Sequence, residues 1–219
     1  MARRGEELRE HILWTAKDVF LEMGFERASM DVVAERAATS KRSLYAHFES
    51  KDKLFLAVVD LVRELYLSSL KRPDDYSDDA EDAVVLFCGR FLQLLLWQPA
   101  LRTCRLGIAE AERLPEASAK YYDAIFNTTH ERLTAFLSVH YKLTPRDNAD
   151  IAYELLGRTL FPRHVRALTG VDKPLKKQPN EAAIASDIDL APIQRAVAAL
   201  LPKRSAPRPR LKGTRPSSR

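Results

Sequence analysis

The stretch ATSKRSLYAHFESKDKLF, residues 38–55, decides the fold. Ser40 suits an N-cap, because its side-chain oxygen can accept from the free amides of a first helical turn. Lys41 to Phe48 then reads as a short helix. Leu44 and Phe48 are four apart, share one face and can bury it. Lys41, Arg42, Ser43, Tyr45 and His47 point outward, a mixture of basic, hydroxylic and aromatic groups. Ser50 caps again, ahead of an apolar run that opens at Leu54 and Phe55.

The residues just upstream supply a partner. Ser29 caps a second short helix, Met30 to Ala37, with Val33, Ala34 and Ala37 as its inner face. Only Ala38, Thr39 and Ser40 separate the two. Two short helices joined so tightly form a helix-turn-helix. The second helix of that motif enters the DNA major groove and brings its N-terminal residues to base edges. Lys41 and Arg42 stand at that end, and arginine can bond guanine bidentately. Contact with phosphate alone is the alternative for both. Ser43 can reach a base or a phosphate, and Ala46 is small enough to approach a thymine methyl. Ser29, Ser40 and Lys51 sit at helix starts, where amide, hydroxyl and ammonium can hold phosphate. From spacing alone, a solvated basic face on an ordinary helical hairpin stays open as the other reading.

The chain around this motif reads as all-α. Its 219 residues are 46% apolar, enough to fill a core, and seven glycines break few helices. The formal net charge of +5 misleads, because residues 203–219 hold seven Lys/Arg and no acid. The rest has 28 basic against 30 acidic residues, a net of −2. The body is therefore not a generally basic nucleic-acid coat, and DNA affinity must come from placed residues and the two basic ends. The Pro/Ser/Arg tail, 203–219, cannot bury apolar surface and reads as disordered. No signal peptide is apparent. The most apolar run, Ala83 to Trp97, contains Arg90 and Gln93 and is too short to span a bilayer. Cys88 and Cys104 read as buried thiols, which fits a cytoplasmic protein; a redox switch between them is the alternative. Enzymatic motifs fail on inspection. His130-Glu131 opens a zinc-protease pattern, but Thr134 stands where the second histidine belongs. No nucleophile elbow or Gly-rich phosphate loop exists, so no catalytic residue, metal or cofactor is expected.

About nine helices are expected. The first runs from Glu6 to Met23, with Leu8, Ile12, Leu13, Ala16, Val19, Phe20 and Met23 as its stripe and Gly24 as its stop. The fourth covers Lys51 to Leu70, and the fifth, Asp79 to Trp97, is apolar nearly all round and should be central. Pro99 should end it. Ala100–Arg113, Pro115–Tyr141, a helix from Pro145 kinked near Gly157 and Pro162, and Leu190–Leu201 complete the set, with a polar loop over Gly170–Ser186. On the last two helices Leu155, Leu156, Leu160, Ile193, Val197, Leu200 and Leu201 are too many apolar groups for a monomer's outside, so a twofold homodimer is expected through them. A pocket is expected from overlapping faces. Phe87, Phe91, Leu94 and Trp97 would meet Ile108, Tyr122, Ile125 and Phe126, with Gln93 as polar handle; plain core is the alternative for each. Such a set suits an apolar or aromatic effector.

With "MGFERASM" followed by "DVVAERAATSKRSLYAHFESKDKLF", residues 9–60 resemble the N-terminal domain of TetR-family transcriptional regulators. The resemblance rests on Phe20, Gly24-Phe25, Ser29, Ala37, Ser40, Leu44, Tyr45, Phe48, Ser50, Lys51 and Leu54. Ala38 and Thr39 depart from the common Gly-Val of that turn, and Arg42 stands where many members have a small residue. The stretch "RLGIAEAERLPEASAKYYDAI" is more loosely similar to the C-terminal domain of one branch. The resemblance implies a helix-turn-helix domain over 1–50 and a helical effector-binding and dimerisation domain over 51–202. It also implies that Tyr45 and His47 contact phosphates of a palindromic operator. A repressor released by a small molecule follows; an activator, or a C-terminal domain that binds a protein instead, remains the alternative.

Overall fold

The computed structural model describes residues 2–141, 143–177, 179 and 187–202. The expected disordered tail, 203–219, lies outside the described residues. Every described element is helical apart from one isolated bridge.

The N-terminal bundle holds α1 (Ala2–Arg27), α2 (Met30–Arg36) and α3 (Lys41–His47). Gly24 interrupts α1 with φ 77° and ψ 167°, a left-handed φ that a side chain would strain. The three serines cap as their spacing requires. Amides of Val32, Ser43 and Lys53 donate to the side chains of Ser29, Ser40 and Ser50 at 3.2, 3.1 and 3.2 Å. Ile12, Ala16, Val19, Phe20, Leu44 and Phe48 close the bundle core. Phe20, Phe25 and Phe55 form an aromatic triad with centroids 5.2–5.6 Å apart. Because Phe55 belongs to α4 (Lys51–Ser69), the start of that helix is fastened into the bundle.

Helix α5 (Ala80–Leu96) is buried along nearly its whole length, as expected of a central helix. A 3-10 turn (Pro73–Asp75) precedes it, and α6 (Gln98–Ala109) follows after a corner at Trp97. Pro99 opens α6 rather than ending α5: it sits in the first turn, where its missing amide costs nothing. Leu175, from the expected polar loop, clamps this corner, donating to the Leu96 carbonyl at 2.8 Å and accepting from the Gln98 amide at 2.9 Å. The expected Pro115–Tyr141 helix is one path in three pieces: α7 (Pro115–Tyr122), a π-helical turn (Asp123–Asn127) and α8 (Thr128–His140).

The expected kinked helix is two. Helix α9 (Pro145–Leu160) stops before Phe161, whose ψ of 135° is the extended form that a following proline favours. Helix α10 (Arg163–Leu168) starts afresh, and α11 (Ala191–Leu200) closes the described fold. Leu155, Ile193 and Val197 are only 0, 3 and 2% exposed, with Leu156 also buried and Leu160 and Leu200 partly so. These side chains pack inside one protomer, against α5 and each other. They are therefore not the outward apolar excess that the helical periodicity suggested. The outer side carries Tyr153, Gly157, Phe161 and Val165 from α9–α10, with Ala198 and Ala199 on α11.

Candidate nucleic-acid interface and effector cavity

Helix α3 presents Lys41, Arg42, Tyr45 and Ala46 to solvent, with Ser43 and His47 half-buried and Leu44 inside. Lys41 Nζ lies 2.7 Å from Asp31 of α2, with both side chains exposed. Such a pair contributes about 0–1 kcal/mol, so a phosphate can replace Asp31 at little cost. Ser29 and Ser40 accept through their oxygens as caps and keep their hydroxyl protons to donate. Lys51 is differently placed. Its ammonium donates to the carbonyls of Phe25 and Ala28 at 2.9 Å and Glu26 at 3.4 Å, and lies 4.1 Å from the Phe25 ring centroid. Those bonds tie α4 to the end of α1, and a phosphate role for Lys51 would have to displace them.

Helix α4 is gripped at both ends by the C-terminal helices. Arg113, beyond the end of α6, stacks 3.6 Å from the Phe25 centroid on the opposite domain. It also approaches Asp52 at 3.7 Å and Glu26 at 3.8 Å, and donates to buried Glu110 at 2.9 Å. At the other end, the last carbonyls of α4 carry the negative pole of the helix dipole. Arg90 donates to Ser69 there at 3.3 Å, and Arg132 donates to Leu70. One turn before that end, the Tyr66 hydroxyl is 2.6 Å from Thr129 and 3.3 Å from the Ile125 carbonyl, which Thr129 also meets at 2.5 Å. Ile125 lies within the π-helical turn, whose altered register opens such carbonyls to side-chain donors. Burial pushes the Tyr66 phenol well above its ordinary pKa, so it stays neutral.

Beside Tyr66 is a cavity of about 300 Å³. Its wall draws Trp14, Lys17 and Leu21 from α1, and Val62, Leu65, Tyr66 and Ser69 from α4. Leu94, Leu95, Trp97, Pro99, Ala100 and Thr103 from α5 and α6 complete it with Tyr121 and Ile125. Of the residues expected in a pocket, Leu94, Trp97 and Ile125 are there. Phe87 and Phe91 are core, both 0% exposed, and Phe126 packs edge-on against Phe91 with centroids 6.2 Å apart. Gln93 is buried and accepts from Arg90 at 3.0 Å, so it orients an α4 cap rather than facing the cavity. Ile108 and Tyr122, 60 and 55% exposed, are on the surface. The α1 contribution was missed, although Trp14, Lys17 and Leu21 recur at helical spacing beside the core stripe. Cys88 and Cys104 are free and buried, and burial pushes the Cys88 thiol up to about 12.

Comparison with known proteins places this architecture. Residues 12–58 match the family model described as bacterial regulatory proteins, tetR family, and residues 82–191 match the AefR-like transcriptional repressor C-terminal domain. The transcriptional activator FasR of Mycolicibacterium smegmatis is 46% identical over 54 residues, 25% of each chain. The regulator UidR of Escherichia coli K12 is 34% identical over 73 residues, 33% of this chain and 37% of that protein. The chain thus spans only about a quarter to a third of the length of these curated relatives. Among solved structures, a protein described as a TetR-family transcriptional regulator from Mesorhizobium loti superposes with a TM-score of 0.69. It is 23% identical and covers 90% of this chain and 96% of its own. The flavonoid-responsive regulator FrrA gives 0.67 at 23% identity, covering 91% of this chain and 100% of that one. The structural likenesses establish the shared fold. With both domains of the family matched in order, and the second match alone spanning half the sequence, the chain belongs to the TetR family of regulatory proteins.

Proposed function

We propose that this chain is a DNA-binding transcriptional regulator, a repressor released from a palindromic operator by a mainly apolar small molecule, acting in the cytoplasm. Residues 1–50 form the DNA-binding unit and 51–202 the effector and dimerisation unit. On the operator, Arg42 and Lys41 read bases, Ser43 reads a base or a phosphate, and Ser29, Ser40, Tyr45 and His47 hold the backbone. A homodimer pairs α9 and α11 with their mates through Tyr153, Phe161, Ala198 and Ala199, setting the recognition helices about 34–36 Å apart. Among the described residues no helix is long and apolar enough to cross a membrane.

The observation that carries the effector reading is the cavity, because its wall joins α1 to the helices that grip α4. A molecule lodged there acts only through its different affinity for the two arrangements of these helices. The alternative of a protein partner and no small molecule calls for a filled core at this position, and the cavity counts against it. The name of FasR keeps the activator reading open for this chain. The test uses purified protein and the DNA upstream of its own gene. Footprinting should find a twofold site, and an apolar compound that raises the melting temperature should weaken that footprint. A compound that stabilises the protein and strengthens the footprint points to activation or co-repression; a broad screen that changes neither removes the effector.

A further inference from the structure

The cavity has a charge pattern that apolar volume does not explain. Among the described residues of its wall, Lys17 carries the one formal charge, and none is a carboxylate. The wall hydroxyls are already engaged: Ser69 donates to the Leu65 carbonyl at 2.8 Å, Thr103 to the Pro99 carbonyl at 2.9 Å, Tyr66 meets Thr129 and Ile125, and Tyr121 bonds the Cys104 sulfur. The Lys17 side chain is 18% exposed, and its ammonium pairs at 2.9 Å with the neighbouring Asp18, itself 61% exposed. A pair of that kind, with its acid in solvent, is weak and exchangeable. The ammonium also lies over the Trp14 ring, 4.9 Å from its centroid.

We propose that the cavity takes a small monocarboxylic acid with an apolar aromatic or aliphatic body, its carboxylate on the Lys17 ammonium. The proposal rests on the effector reading and specifies its chemistry. A cationic ligand would face Lys17 with no compensating acid in the wall. A neutral one would leave that ammonium, mostly shielded from water, with only its exposed neighbour Asp18 as counter-charge. Lys17 belongs to α1, the first helix of the DNA-binding unit, while the apolar body of the ligand lies against α4, α5 and α6. The acid therefore bridges the two units directly, in addition to acting through α4.

The experiment uses the full chain in titration calorimetry with 2-naphthoate, its methyl ester and 2-naphthylmethylammonium, and with decanoate and its methyl ester. Each acid should bind about 10–100-fold more tightly than its ester, the equivalent of one charged hydrogen bond. Lys17→Met should remove that preference while leaving ester affinity in place, and Lys17→Arg should keep it. Lys17→Gln, equally uncharged, repeats the comparison should the methionine variant fold poorly. Thr103→Trp, which fills the cavity, should abolish binding of acid and ester alike; acid binding that survives it lies elsewhere and overturns the proposal. Equal affinity for acid and ester, a preference for the ammonium compound, or no acid binding also overturns it. If a neutral or cationic compound then binds and releases DNA, the effector reading stands without this inference. If compounds of all three charge classes leave DNA binding unchanged, both fall.

Discussion

Replacing Ala38 by glycine should stabilise the DNA-binding unit. Ala38 lies in the turn between α2 and α3, and its φ is 49°, in the left-handed region. That conformation costs an L-residue with a β-carbon about 1–2 kcal/mol, and glycine almost nothing. Glycine gives back about 0.4–1 kcal/mol through its freer unfolded chain. The Ala38 methyl is exposed, so no packing is lost. The bonds that shape the turn, from Ala38 N to Glu35 O at 3.1 Å and Thr39 N to Ala34 O at 3.0 Å, are backbone bonds that glycine retains. The net gain should be about 0.5–1 kcal/mol, or about 1–4 °C in Tm for a chain of this size. Ala38→Val should move the other way, because a β-branched residue tolerates positive φ least. Urea unfolding and thermal melts followed by circular dichroism measure both, and operator affinity of the glycine variant should hold. A glycine variant no more stable than the parent, with a valine variant equal to both, refutes the left-handed turn.

Four further outcomes follow from particular contacts. Arg42→Ala should cost about 1–3 kcal/mol on the operator and much less on scrambled duplex; equal loss on both would make Arg42 a phosphate clamp. Tyr66→Phe should lower stability by about 1–2 kcal/mol, because the π-turn carbonyl and Thr129 lose a buried partner; an unchanged melt would show the bridge between α4 and α8 to be redundant. His164 is buried, its Nε2 has no partner, and burial lowers its pKa. The unfolded chain takes up that proton near its ordinary pKa of about 6.5 and the folded chain only below it. Stability present above that value is therefore lost as pH falls towards the folded pKa, and His164→Leu should flatten the slope of denaturation midpoint between neutral and mildly acidic pH. Phe161→Glu should give a monomer in sedimentation while leaving the fold intact, whereas Leu155→Glu should unfold the protomer; the reverse pattern would move the interface to the inward residues.

The helix-turn-helix was legible because its signals are local. Ser29, Ser40 and Ser50 each cap within three residues of themselves, and Gly24 marks its own break. Leu44 and Phe48 needed only their spacing to be assigned inside. The cavity was half legible, because periodicity says which face of a helix is apolar but not what lies opposite. Leu94 and Trp97 face the space and Phe87 does not, and only the arrangement of α1, α4, α5 and α6 around that space decides between them. Ile108 and Tyr122 show the reverse error, large apolar groups on a surface that has room for them. Leu155 and Ile193 mark the same limit, since an apolar stripe does not state whether its own chain or a second copy will cover it. The π-turn left no trace in composition. It became visible only through the hydroxyls of Tyr66 and Thr129 that converge on Ile125.

Both tryptophans of the chain, Trp14 and Trp97, stand in the wall of the effector cavity. The tryptophan emission of this protein therefore comes entirely from the seam between its two units. Trp14 travels with α1 and Trp97 with the α5–α6 corner, so the emission of each tracks a different side of that seam. Single replacements by phenylalanine would split the signal, leaving one lamp on the DNA-binding unit and one on the effector unit. The order in which they change after mixing would show whether the seam opens before a molecule arrives or because it has arrived, with no dye attached.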